Sequence, residues 1–177
     1  MREIRELQEN EFAEAVRISS EAYTAGGRFS AEAQARAVEK MKVELTDENT
    51  SIWGLFETGN LRAVMTLYAY QMRLWSGETA VGGIGGVAVD LRHKKEHIAY
   101  DLLQFFLQWC KENDKPIAAL YAFSPDFYKK MGFSFGTKTN RYTIAPAALP
   151  HGKKDGITFL SAADEAAMRS CYLRYRE

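Results

Sequence analysis

The chain has 177 residues, and its 23 lysines and arginines balance 23 aspartates and glutamates for a formal net charge of zero. That balance excludes the basic surplus of a nucleic-acid binder, and a content of 46% hydrophobic and 12% aromatic residues excludes global disorder. The length predicts one domain of ordinary size with room for part of a second.

In chain order, Glu3 to Leu7 alternate in polarity and predict a first strand. Phe12, Ala15, Val16 and Ile18 then recur at helical spacing. Gly26 and Gly27 break that helix, and Ser30 is placed to cap a second, Ala- and Glu-rich helix running to about Leu45. Three runs rich in β-branched and aromatic residues follow at 51–57, 61–74 and 79–89. Turns at Thr58-Gly59-Asn60 and Ser76-Gly77 make them an antiparallel meander. Ile98, Leu102, Leu103, Phe106, Trp109 and Cys110 share one face of a helix that ends near Asn113, and Pro116 opens a short buried strand. Ser124-Pro125-Asp126 is a helix start, with a capping residue, a proline at the first helical position and an acid at the positive end. Gly132 stops that helix within a turn.

Strands are then expected around Phe133 and over 141–144, followed by a linker, APAALPHGKKDG, a strand near 157 and a last helix begun by the capping box of Ser161 and Asp164. Residues 1–146 read as one complete domain. Residues 147–177 read as a linker and extension, or the truncated start of a second domain. Cys110 and Cys171 are too few for a disulfide framework. The charged N-terminal segment has no secretory pattern, and no run reaches the roughly 18 apolar residues of a spanning helix. A cytoplasmic protein without a membrane partner is expected.

Three signals compete between Gly82 and Tyr100. Gly83, Gly85 and Ala88 match the dinucleotide fingerprint G-x-G-x-x-A, but they precede residues that still read as strand rather than a helix start. His93, Glu96 and His97 form H-x-x-E-H, which binds zinc when both imidazoles share a helix face. Here Lys94 and Lys95 would set positive charge beside the metal, and no metal is expected. The third reading is a strand ending in Val87-Ala88-Val89, a cationic loop from Arg92 to Lys95, and a helix whose first amides face the strand end. Together these make an anion site suited to a pyrophosphate.

This third pattern resembles the GCN5-related N-acetyltransferases, the GNAT superfamily, whose Q/R-x-x-G-x-G/A motif aligns with Lys94, Lys95, Glu96, His97, Ile98 and Ala99. His97 stands at the glycine position, where its Cβ crowds the phosphate. Phe127-Tyr128-Lys129-Lys130-Met131-Gly132-Phe133 looks like the family's closing signature. More narrowly, VAVDLRHKKEHIAYDLL and PIAALYAFSPDFYKKMGFSFG look like the first domain of the enhanced intracellular survival (Eis) acetyltransferases. The resemblance implies an α/β (α+β) fold with a mixed central sheet flanked by helices. It also implies transfer of acetyl from acetyl-coenzyme A to a primary amine, such as an aminoglycoside or a lysine-like amine, by direct attack in a ternary complex. Carried over position by position, Val87, Ala88, Val89, Lys94, Lys95, His97, Ile98, Ala99, Tyr100, Phe123 and Ser124 hold the coenzyme, and Tyr128 protonates the leaving thiolate. The alternative is a catalytically weak acetyltransferase-like domain that binds an acyl-coenzyme A or a partner chain.

Overall fold

The computed structural model describes residues 1–177 apart from 28, 76, 137–139, 151, 154 and 177, and the backbone alone at 175 and 176. The chain divides into two units, Met1–Tyr121 and Ala122–Glu177.

The first unit is a five-stranded sheet with helices on both faces. Its strands are β1 (Arg2–Glu6), β2 (Thr50–Glu57), β3 (Asn60–Leu74), β4 (Gly77–Val89) and β5 (Ile117–Leu120), which lie side by side in that order. The first four pair antiparallel, while β5 joins β4 in parallel. This mixed sheet follows from chain geometry, because short turns return an antiparallel strand and a helical crossover delivers a parallel one. The helices of this unit are α1 (Phe12–Ala22), α2 (Ala31–Glu44) and α3 (Ile98–Glu112). Ser30 caps α2 as its position predicts, its Oγ accepting from the Ala33 N–H at 3.1 Å.

Period-two alternation splits the sheet's side chains between two apolar layers. Phe56, Val64 and Ala88 pack with Ala15 and Ile18 of α1, joined by Met41 of α2. On the other face Trp53 of β2 meets Phe105 of α3 with ring centroids 4.8 Å apart. Leu102, Leu103, Phe106 and Cys110 bury the apolar stripe of α3. Gly82 permits the close approach of that helix, since a Cβ there would come within 3.2 Å of the Trp109 ring. The strand opened by Pro116 is half-buried rather than buried.

In the second unit, α4 (Pro125–Lys129) ends at a turn in which Gly132 takes φ +90°, and α5 (Glu165–Arg176) follows the predicted capping box. The Ser161 N–H donates to Asp164 Oδ2 at 2.8 Å. Three sequence expectations are corrected. No strand forms among the described residues around Phe133, over 141–144 or near 157. The alternating apolar residues there find no layer to bury against, and Phe135, Tyr142, Ile144, Ile157 and Phe159 are exposed. The expected turn residue Ser76 lies outside the described residues. No helix among the described residues is long and apolar enough to cross a membrane.

The two thiols are placed to behave differently. Cys110 is buried under the sheet, where desolvation pushes its pKa up to about 11, whereas Cys171 is exposed on α5. An aromatic disulfide reagent at neutral pH is expected to titrate Cys171 at once and Cys110 only when urea unfolds the sheet. Prompt reaction of both thiols in the native protein would contradict this packing.

Candidate functional site

The site is built around the end of β4. The parallel pairing with β5 covers Val81 to Ile84 and stops there, so Gly85–Val89 have no strand partner on that side among the described residues. Within this stretch the register against β3 slips, with Thr66 opposite Gly85 but Val64 opposite Ala88. The extra residue of β4 is accommodated by Gly86 at φ +59°, a left-handed conformation that costs glycine little. Beyond the bulge the Asp90 N–H returns to β3, donating to the Arg62 carbonyl at 2.8 Å. Alternation therefore turns the backbone polar groups of Val87 and Val89 away from β3 and toward the open side. One of them is engaged, since the Tyr23 hydroxyl donates to the Val87 carbonyl at 2.8 Å.

A second constraint fixes the loop that follows. Asp90 is fully buried (0% exposed) and its carboxylate accepts from Arg17 Nη2 at 2.8 Å. From Arg92 it also accepts Nη2 at 2.7 Å, Nε at 3.0 Å and the backbone N–H at 3.0 Å. The Arg92 guanidinium is the largest cause holding the Asp90 carboxyl well below the usual carboxylate range, with its backbone N–H and Arg17 adding to it against the cost of burial. Arg17 also pairs with Glu14 and Glu21, which fastens the clamp to α1. Sequence reading saw Arg92 only as loop charge and missed Asp90. A lone acid after an apolar strand was the one available signal.

Leu91–His93 form a short 3-10 turn, residues 94–97 are irregular, and α3 starts at Ile98. The H-x-x-E-H reading is thereby corrected, because its residues lie before the helix and the two imidazoles do not share a helical face. His93 Nδ1 instead lies 3.3 Å from Glu96 Oε2, which draws that carboxylate toward His93. Glu57, His93 and Glu96 bring donor atoms within 4.8 Å of one another, and Arg2 pairs with Glu57 at 3.3 Å. The dinucleotide reading is corrected as well, since Gly83 and Gly85 lie inside β4. They are glycines for a packing reason. A Cβ at Gly83 would sit 2.9 Å from the Tyr70 ring and one at Gly85 would sit 3.2 Å from the Tyr68 ring. Those two rings stack at 5.2 Å with planes 9° apart.

Of the residues expected to hold a coenzyme, the first unit brings Val87–Val89 and residues 94–100 together at the end of β4 and the start of α3. The Ala88 side chain is buried in the α1 layer and its backbone faces β3, so on this strand Val87 and Val89 present the outward backbone groups, while Ile98, buried in the α3 layer, offers only its backbone. Lys94 and Lys95 are exposed and form no ion pair among the described residues. His97 takes φ +61° and ψ 11°, the left-handed conformation that a glycine adopts freely and an L side chain resists. The position aligned with the motif's glycine therefore has a backbone shape that glycine adopts freely, with an imidazole attached.

A family model described as an acetyltransferase (GNAT) domain matches residues 3–136. The chain belongs to the GNAT acetyltransferase family. Solved structures share the fold of this GNAT domain at low identity. A transcriptional regulator from Bacillus halodurans C-125 is 15% identical with a TM-score of 0.70, over 81% of this chain and 100% of that one. A predicted acetyltransferase with acetyl-CoA from Clostridium acetobutylicum is 16% identical with a TM-score of 0.63, over 81% and 96%. An aminoglycoside antibiotic 6'-N-acetyltransferase from Acinetobacter haemolyticus is 15% identical with a TM-score of 0.62, over 81% and 98%. No curated protein matches the chain.

The GNAT family's closing signature falls in the second unit. Tyr128, 5% exposed, sits on α4 among three edge-on rings, Phe127 at 5.2 Å, Phe123 at 5.8 Å and Phe133 at 6.1 Å. Phe123 is itself exposed. Ser124 precedes α4 as expected, but its hydroxyl makes no cap bond. Its carbonyl accepts from the Phe127 N–H at 3.1 Å instead.

Two outcomes follow from this geometry. Asp90 has a depressed folded-state pKa, so its stabilising effect is complete above the unfolded carboxyl value of about 3.9 and is lost as pH falls toward the folded one. Urea titrations from pH 7 to pH 2 are expected to show Asp90→Ala costing on the order of 3 kcal/mol at pH 7 and the difference from wild type shrinking below about pH 4. Equal stability of the two proteins at pH 7 would contradict the clamp. At residue 97, His97→Gly removes a left-handed penalty of about 1–2 kcal/mol and adds up to about 1 kcal/mol of unfolded-chain entropy. Differential scanning calorimetry is expected to show a melting temperature equal to or above wild type, where a glycine in ordinary backbone would lower it.

Proposed function

We propose that this GNAT domain transfers acetyl from acetyl-coenzyme A to a primary amine by direct attack in a ternary complex. The observation that carries the reading is the open edge of β4 beyond Ile84, which leads directly into a cationic loop and the first turn of α3. An extended, amide-bearing arm is matched by free strand-edge groups, and a pyrophosphate is matched by helix amides and lysine ammoniums. The residues present fit such a ligand. His97, aligned with the family's glycine, takes a left-handed turn that glycine adopts freely, and Lys94 and Lys95 stand beside it without an ion pair among the described residues.

In this reading Val87, Ala88 and Val89 line the pantetheine arm, with the outward Val87 N–H and the Val89 backbone pairing with it and Ala88 spacing them. Lys94, Lys95 and the backbone of His97, Ile98, Ala99 and Tyr100 hold the pyrophosphate. The family's motif assigns Phe123 and Ser124 to the pantetheine arm and Tyr128 to the general acid. The amine nitrogen uses its lone pair to form the new C–N bond at the thioester carbon, and the C–S bond breaks. The departing sulfur takes a proton from the Tyr128 hydroxyl, the nitrogen releases one to solvent, and the phenolate regains one from solvent to close the cycle.

The finer assignments rest on resemblance. We take residues 1–146 as the transferase domain, supported by a family match that ends at residue 136. The Eis-type first domain is the model for its two motif stretches. The acceptor is proposed to be a small-molecule amine in the cytoplasm, and the aminoglycoside acetyltransferase among the similar structures supports that class.

Thiol release from acetyl-coenzyme A, measured with a panel of primary amines, tests the reading. Tyr128→Phe is expected to lower kcat by roughly a hundredfold or more with little change in the KM for acetyl-coenzyme A. No thiol release with any amine, together with no binding of acetyl-coenzyme A by calorimetry, would overturn it.

A further inference from the structure

The Tyr23 hydroxyl is held against the bulge of β4. Tyr23 closes α1, its N–H donating to the Ser19 carbonyl at 2.9 Å, and its own carbonyl accepts from the Gly26 N–H at 3.1 Å. The left-handed Gly27 then turns the chain toward α2. The Tyr23 ring reaches the bulge of β4, and the hydroxyl donates to the Val87 carbonyl at 2.8 Å. Burial of the phenol raises its pKa, so it remains a donor across the neutral range. Even so, Tyr23 is 38% exposed and open to a ligand.

A phenol has one proton, and here that proton is committed to Val87. Toward anything else the oxygen is an acceptor only, and the Val87 carbonyl keeps a second lone pair. The strand end therefore presents two adjacent acceptors from these two groups. Tyr68 and Tyr70 lie against the same strand over Gly83 and Gly85, and Tyr70 is exposed. A neutral primary amine has two N–H donors and one lone pair. If both N–H bonds are taken by Tyr23 Oη and the Val87 carbonyl oxygen, the lone pair is the one direction left for attack.

We propose that Tyr23 Oη and the Val87 carbonyl form the seat of the attacking nitrogen and select primary over secondary amines, with Tyr70 supporting the amine's apolar body. This rests on the acetyltransferase reading and extends it to the acceptor. A secondary amine has a single N–H and fills half the seat. An alcohol likewise offers one donor.

Benzylamine and N-methylbenzylamine are a matched pair of probes. Thiol release from acetyl-coenzyme A is expected to favour benzylamine in kcat/KM by about tenfold, the worth of one such hydrogen bond. Tyr23→Phe keeps the ring and removes the acceptor. It is expected to raise the KM for benzylamine about tenfold, to bring the two amines near parity and to leave the KM for acetyl-coenzyme A unchanged. Lack of discrimination in the wild-type enzyme, or discrimination that survives Tyr23→Phe, overturns the seat while the transferase reading stands. Absence of thiol release with every amine overturns both.

Discussion

The geometry at the end of β4 depends on one buried carboxylate. Asp90 has no contact with solvent and is satisfied by donors from Arg17 and Arg92. A buried carboxylate missing one of its partners costs several kcal/mol, more than an ordinary surface pair supplies. The fold that satisfies Asp90 must therefore bring α1 and the turn after β4 to the same point. Arg17, itself held by Glu14 and Glu21, transmits that demand to the helix whose last residue is followed by Tyr23. Arg92 transmits it to the turn that leads into the lysines and α3. The last turn of α1 and the loop that leads into α3 are thus registered to one another through a single side chain.

The opening beside β4 has a complementary origin. Parallel pairing with β5 ends at Ile84 while β4 continues to Val89, and the bulge at Gly86 bends the strand within that free stretch. A sheet edge with unpaired amides and carbonyls is usually a liability that invites pairing with another chain. Here it is short, flanked by helices and followed by positive charge. In the proposed reading it is the pantetheine arm, rather than a second strand, that takes this edge.

Much of this was legible in the sequence. Period-two and helical spacing located the sheet strands and the helices of the first unit within a residue or two, and Ser30 capped its helix as predicted. The two motif stretches identified the family before any coordinates. What escaped reading were effects of register and tertiary pairing. The end of the β4–β5 ladder at Ile84 depends on where two strands part, which no local pattern encodes. Asp90 as a clamp needed Arg17, distant in sequence, and the Tyr23–Val87 bond joined two apolar-looking segments. The strands expected after Phe133 failed for the opposite reason. Their alternation was genuine, but alternation alone supplies no partner, and the described residues there remain exposed.

The left-handed turn at His97 gives the loop between β4 and α3 an unusual thermal character. Lys95 and His97 both take a positive φ, +69° and +61°, so two L residues of this one loop are held uphill ahead of the helix. As temperature rises, the segment with the smallest restoring force relaxes first. Loosening is therefore expected to begin at this turn, well before the sheet itself gives way, so the loop loses its shape while the scaffold still stands.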